Sequence, residues 1–139
     1  MKILQKEKGF SLIELLVVLA IMALLIGLVG PKVMKQLSGA KADTAQLQIA
    51  DLSAALDLYF IDNGEYPTSK DGLNALIEAP STASSWNGPY LKKKNVPLDP
   101  WKHPYHYQSP GQQGEYDLYS YGADNVPEGE GDNKDIVSW

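Results

Sequence analysis

The chain has 139 residues, 44% of them apolar, with no cysteine and a formal net charge of −5. That length makes one domain plus a short extension. The acidic balance argues against a nucleic-acid partner, which needs basic surface, and without cysteine there is no disulfide framework.

The first nine residues set Lys2, Lys6 and Lys8 against Glu7, so the side chains that follow them sum to −5 − 2 = −7. From Phe10 to Gly30 the sequence reads FSLIELLVVLAIMALLIGLVG. A membrane-spanning helix needs roughly 20 mostly apolar residues. The run is apolar on every side, and the rest of the chain is too small to bury such a helix in a soluble core. We therefore read it as a membrane span. Its basic flank predicts a cytoplasmic N-terminus and an exported C-terminal part. A secretory signal would place a small-residue cleavage site after the apolar run. Val29-Gly30-Pro31-Lys32 is a poor one, and the step from charge to apolar side chains falls earlier, at Gly9-Phe10. The one charge inside the span is Glu14. A carboxylate there is costly and marks a role, although it also suits the positive end of a helix dipole.

The order Gly9-Phe10-Ser11-Leu12-Ile13-Glu14, followed by about twenty apolar residues, resembles the class III signal of type IV pilins and pseudopilins. The resemblance implies that a prepilin peptidase cuts between Gly9 and Phe10 and methylates the new Phe10 nitrogen. It also makes Glu14 the fifth mature residue, with an assembly role. The domains expected are a leader over 1–9, a transmembrane and filament-core helix over 10–30, and a helix continuation with a periplasmic head over 31–139.

Gly27, Gly30 and Pro31 cluster at the exit of the span. Proline lacks an N–H and crowds the carbonyl four residues back, here Gly27, so a kink or a melted turn is expected. Either the span simply ends there, or, as the family resemblance implies, the segment around Pro31 stretches on assembly. From Lys32 to Asn63, Leu47, Ala50, Ala54, Leu58 and Ile61 recur at helical spacing. Ile49, Leu52, Leu56 and Phe60 widen that face, and Gly64 suits the position after a helix end. The helix is expected to continue the span and to pack its second half on a globular head. Its first half, with Lys35, Gln36, Ser38, Lys41 and Asp43, reads as solvated or filament-facing.

After a turn at Glu65–Thr68, Ser69 is positioned to cap a short helix over 70–79 that turns Leu73, Leu76 and Ile77 inward. A loop rich in Ser, Gly and Pro follows to Pro89. Lys92-Lys93-Lys94 reads as a solvated run. Asp99-Pro100-Trp101 and His103-Pro104 form a tight turn. Tyr105–Tyr107 and Tyr116–Tyr119 are strand-favouring, with a hairpin loop at 109–114 between them. A small antiparallel sheet across the helix would bury both. His103 and His106 lack a third nitrogen or sulfur ligand and read as surface or packing residues. No nucleophile–base pair or phosphate loop is visible, so nothing points to an enzyme. Residues 120–135 are dense in oxygen donors and glycine. They suit Ca²⁺, which takes 6–8 oxygens, as well as they suit a mobile acidic tail.

The block Y-P-T-x-x-x-G-L-x-A-L at 66–76, the Asp99-Pro100-Trp101 turn, Tyr105–Gly111, and S-Y-G-A-D with a later G-E-G-D-N-x-D-I-x-x-W resemble the major pseudopilins of type II secretion systems. The likeness covers nearly the whole chain. It implies an α+β, type IV pilin-like fold with a C-terminal calcium loop. By position, Asp124 and Asp132 would give carboxylates, Tyr121 and Val126 backbone carbonyls, and Asp135 a further carboxylate. Asn125 stands where the family usually has glycine, and Lys102-His103 replaces the commoner Gly-Asn. The implied role is a non-enzymatic subunit of a filament that grows from the inner membrane into the periplasm and supports export of folded proteins. Its implied partners are further copies of itself, minor pseudopilins, an assembly platform, an ATPase, the prepilin peptidase and membrane lipid, with no nucleic acid. A type IV pilin for adhesion or DNA uptake, or a single-pass anchored binding domain, are the alternatives.

Overall fold

The computed structural model describes residues 9–139, so Lys2, Lys6, Glu7 and Lys8 lie outside the described residues. Its contacts divide at Leu37–Ser38 into two compact units.

Helix α1 runs from Leu12 to Asn63. Up to Leu37 nearly every side chain is exposed. This is the one described helix long and apolar enough to cross a membrane. The expected kink or melted turn is not a break in secondary structure: α1 stays helical through Gly27, Gly30 and Pro31. The hydrogen bond that Pro31 cannot donate is one among many along a 52-residue helix.

In the second unit the α1 face formed by Ala45, Ile49, Leu52, Ala55, Leu56 and Tyr59 is buried. This differs from the expected stripe. Leu47, Leu58 and Ile61 are 68%, 52% and 74% exposed, and Ala50 and Ala54 are exposed too. Of the residues expected to widen that stripe, Ile49, Leu52 and Leu56 carry the burial, while Phe60 is exposed. The core side carries Ala45 and Ala55 and the exposed side Ala50 and Ala54, so the two faces are alike in apolar content and periodicity alone does not choose between them. The tyrosine of that face also bonds outward aromatically, Tyr59 lying edge-on to Tyr90 at 5.6 Å.

Opposite this face lies a three-stranded antiparallel sheet, β1 (His106–Gln108), β2 (Asp117–Ser120) and β3 (Ile136–Val137), in that order. His106 pairs with Tyr119, and Tyr119 in turn with Val137. Leu118, Ile136 and Tyr105 join the α1 residues in one core, together with Leu73, Ala75 and Leu76. Tyr105 also donates its hydroxyl to Gln48 Oε1 at 2.6 Å, tying the sheet side to α1.

The expected helix over 70–79 is only a short 3₁₀ segment, Gly72–Leu76. Ser69 does not cap it. Its hydroxyl instead bridges the N–H and carbonyl of Ser109, forty residues away. Thr68 takes over the local turn, its Oγ1 accepting from Asp71 N at 3.2 Å. Gly72 has φ +60, which ordinary residues avoid in a helix and which limits the segment's length.

Candidate functional site

Gly9 and Phe10 precede α1 and are exposed, Phe10 at 86%. Ser11 then caps the helix. Glu14 N donates to Ser11 Oγ at 3.2 Å, while Ser11 N donates to Glu14 Oε2 at 2.9 Å. This is a reciprocal capping box, in which two of the helix's unpaired amides are satisfied by Ser and Glu side chains three residues apart. Glu14 therefore has a local partner in the isolated subunit. The S-x-x-E spacing before an apolar run carries that signal, which reading Glu14 as a costly charge with an assembly role, or as a partner of the helix dipole, does not use.

The C-terminal loop leaves β2 at Tyr121 and returns at β3. Ala123 N donates to Asp132 O at 2.9 Å, which closes the loop on itself. Gly122 makes that closure possible: it has φ +71, and a Cβ there would stand 2.7 Å from Asp132 O. Asn125 adopts φ +54, as a residue standing in for glycine must. Asp124 Oδ1 accepts from Val126 N at 3.3 Å. Asp135 Oδ2 accepts from Glu128 N at 3.0 Å, but Asp135 Oδ1 is buried without a hydrogen-bond partner. A buried carboxylate oxygen left unpaired costs free energy unless a donor or cation meets it.

Among the described residues no three His, Cys, Asp or Glu side chains gather into a metal-holding group. Asp124, Asp132 and Asp135 thus do not form a three-carboxylate cage. The donor set nonetheless fits calcium, being all oxygen on a loop bent at Gly122, Asn125, Glu128, Gly129 and Gly131, each with positive φ. Two carboxylates with backbone carbonyls, such as those of Tyr121 and Val126, would supply it, and Asp135 Oδ1 is the atom most in need of a cation.

The Asp99-Pro100-Trp101 turn anchors the start of this loop. Asp99 is 2% exposed. Its Oδ1 accepts from Trp101 N at 3.0 Å and His103 N at 2.8 Å, and its Oδ2 accepts from Ser120 Oγ at 2.6 Å. Ser120 Oγ accepts in turn from Gly122 N, and His103 Nδ1 lies 3.2 Å from Gly122 O. One buried carboxylate thus links the turn at 99–103 to the first residues of the acidic loop. The aspartate-turn signature was legible, but its long-range partner Ser120 was not. His106 also packs, stacking on Tyr119 at 5.1 Å with an interplanar angle of 13°. The Tyr121 hydroxyl, burial, and the Asp117 and Asp135 carboxylates push Tyr119 up to about 12.

A capped, unburied apolar helix that runs on into a small head, packed there against a three-stranded antiparallel sheet with a glycine-bent acidic loop, defines a pilin-like subunit. The family model "Type II secretion system (T2SS), protein G" matches residues 32–139, and "Prokaryotic N-terminal methylation motif" matches residues 4–30. The chain belongs to the type II secretion system protein G family. It is 42% identical to the type II secretion system core protein G of Pseudomonas aeruginosa, over 97% of this chain and 96% of that one. It is 40% identical to that of Escherichia coli K12, over 100% and 95%. The crystal structure of the major pseudopilin from the type 2 secretion system of enterohaemorrhagic Escherichia coli superimposes with a TM-score of 0.65 at 32% identity. That match covers 76% of this chain and 92% of that one.

Proposed function

We propose that this chain is the major pseudopilin of a type II secretion system, the repeating subunit of its periplasmic pseudopilus. The observation that carries the reading is likeness along the whole length: the methylation motif matches 4–30 and the protein G model 32–139, with no part of the head left over. In this reading residues 1–9 are a leader. The prepilin peptidase cuts after Gly9 and methylates Phe10. Residues 10–30 hold the subunit in the inner membrane as a single span, N-terminus cytoplasmic and head periplasmic, until it is extracted into the filament. An ATPase, an inner-membrane platform and minor pseudopilins act with it. Its part in export is structural rather than catalytic.

Two features support finer roles. Glu14, once the cut frees an ammonium on Phe10, offers a carboxylate that a neighbouring subunit's N-terminus can meet in a low-dielectric bundle. A buried ion needs such a partner. Pro31, with Gly27 and Gly30, gives α1 a weak turn that can lengthen in the filament. The acidic loop holds Ca²⁺ through Asp124 and Asp132, the carbonyls of Tyr121 and Val126, and Asp135. The ion's contribution is to neutralise the loop and cross-link its two arms.

The test is complementation. In a strain with an intact type II system lacking its own major pseudopilin, this chain should restore secretion. On overproduction it should give filaments visible by electron microscopy of sheared material. Mature chain present in the membrane, with neither filaments nor secretion, would overturn the reading.

A further inference from the structure

An antiparallel sheet with one face on a core ordinarily turns polar side chains to water on the other. Leu118, Ser120 and Ile136 lie on the core face of this sheet. Side chains alternate along a strand, so Asp117, Tyr119 and Val137 fall on the outer face. There they line an open cavity of about 260 Å³ together with Tyr121, Asp135 and Trp139. Its rings form a cluster. Tyr119 lies 5.0 Å from Tyr121 and edge-on to Trp139 at 6.0 Å, and His106 stacks behind Tyr119 and holds it in place. Trp139 is 55% exposed, so this aromatic wall is open to solvent.

The charge of the cavity has one sign. Asp117 is 5% exposed, and its two oxygens accept from the neutral amides of Gln112 and Gln113, at 2.7 and 3.0 Å. Asp135 keeps one buried oxygen without a partner. No lysine lines the cavity, and the one ion pair among the described residues is His103–Asp99, so neither carboxylate is offset by a cation. The same two carboxylates help to raise the Tyr119 phenol to about 12, which is what a negative field does to an acid. Aromatic faces are themselves negative and attract a cation brought against them.

These features select among ligands. An anion would be repelled. A bare metal ion needs several converging oxygens, and most of the wall here is ring. A guanidinium seeks a carboxylate with both oxygens free to receive its fork, whereas both oxygens of Asp117 are taken. An alkylated ammonium needs no hydrogen bond, only rings and a negative field. Ligand cavities usually begin at roughly 300 Å³, so one of this size suits a cation of few atoms. We propose that this cavity binds a small alkylammonium ion, held against the rings of Tyr119, Tyr121 and Trp139 in the field of Asp117 and Asp135. The site is separate from filament assembly and does not depend on it.

The test is a calorimetric titration of the full chain, in an uncharged detergent, with choline. Beside it runs the uncharged carbon analogue of choline, which carries tert-butyl in place of trimethylammonium. Calcium is kept in excess, so that choline cannot report on an empty acidic loop. Choline should bind at one saturable site, and the carbon analogue about tenfold more weakly or worse, the scale of one good cation–ring contact. Trp139→Leu should weaken choline about tenfold, while Trp139→Phe, which keeps a ring, should weaken it less. Trp139 is exposed, so neither change threatens the fold, and an unchanged melting temperature checks this. Tyr119→Leu should act like Trp139→Leu. Equal binding of choline and its carbon analogue would overturn the proposal, since the cavity would then be merely apolar. So would the absence of saturable choline binding, or choline binding that both leucine variants leave intact.

Discussion

Glu14 serves one partner in the free subunit and is proposed to serve another in the filament. In the capping box it accepts from Ser11 N, a task that glutamine performs as well as glutamate. Pairing with a neighbour's Phe10 ammonium needs the charge. Glu14→Gln therefore separates the two roles, since it keeps the cap and removes the carboxylate. We expect Glu14→Gln to insert and to be cleaved after Gly9, giving an intact mass that starts at Phe10, yet to yield few filaments. Normal filament yield from Glu14→Gln would leave capping as the whole of its work. Loss of cleavage would move the role to the peptidase. At this scale a local interaction leaves a signal in the sequence: the S-x-x-E spacing of the cap, although the cost of a buried charge drew the reading of Glu14 elsewhere, and Asn125, which takes its positive φ in place. Long-range partners were not readable: nothing near Asp99 announces Ser120, and nothing near Ser69 announces Ser109.

At the scale of elements, α1 illustrates what periodicity can and cannot decide. Both of its sides recur at three and four residues, and each carries three large aliphatics and two alanines, so a hydrophobic count cannot choose between them. Only the presence of the sheet distinguishes them. The strands themselves were legible from their tyrosines, shifted by a residue, whereas β3 is two residues long, lies just beyond the acidic stretch at 120–135 and carries no strand signal of its own. These tyrosines give the head an alkaline limit. Burial, and the hydrogen bond to Asp57, push Tyr66 up to about 12, and Tyr119 is likewise raised to about 12. Burial raises Tyr105 and Tyr107 too. A folded pKa above the unfolded value of 10.0 means that the neutral phenol is favoured by folding. That stability is fully present below pH 10 and is lost as pH climbs towards 12. The melting temperature of the head should hold to about pH 9 and fall steeply by about pH 11. In the folded head, phenolate absorbance should lag that of the denatured chain. A folded head whose tyrosines all titrate together near the unfolded value would contradict this.

For the molecule as a whole, the apolar N-terminal helix and the head solve different problems, and the calcium proposed for the acidic loop bears on the second. The head folds without disulfides around a modest core of twelve buried apolar residues. Small cores of this kind commonly need a staple. Its C-terminal strand β3 is reached only through a loop carrying Asp124, Glu128, Glu130, Asp132 and Asp135, whose like charges repel when no cation is present. The burial of Asp135 Oδ1 without a partner adds to that cost. An ion that binds only the folded form stabilises it by about 2.7 kcal/mol at a hundredfold excess over Kd. For a head of roughly 100 residues that corresponds to a rise of about 10 °C in Tm. The soluble head, residues 35–139, should therefore melt about 10 °C lower after chelation, and Ca²⁺ should restore it. Mg²⁺ should restore less, because it insists on tighter octahedral geometry and keeps its waters. Asp124→Ala and Asp132→Ala should each melt like the chelated head and ignore added Ca²⁺. Asp135→Ala should show a smaller response, since Asp135 already spends one oxygen on Glu128 N. Glu128→Ala should keep the full response. Identical melting curves with and without Ca²⁺, in head first stripped of metal, would mean that the loop closes through Ala123–Asp132 alone and that Asp135 holds its unpaired oxygen at the expense of the core.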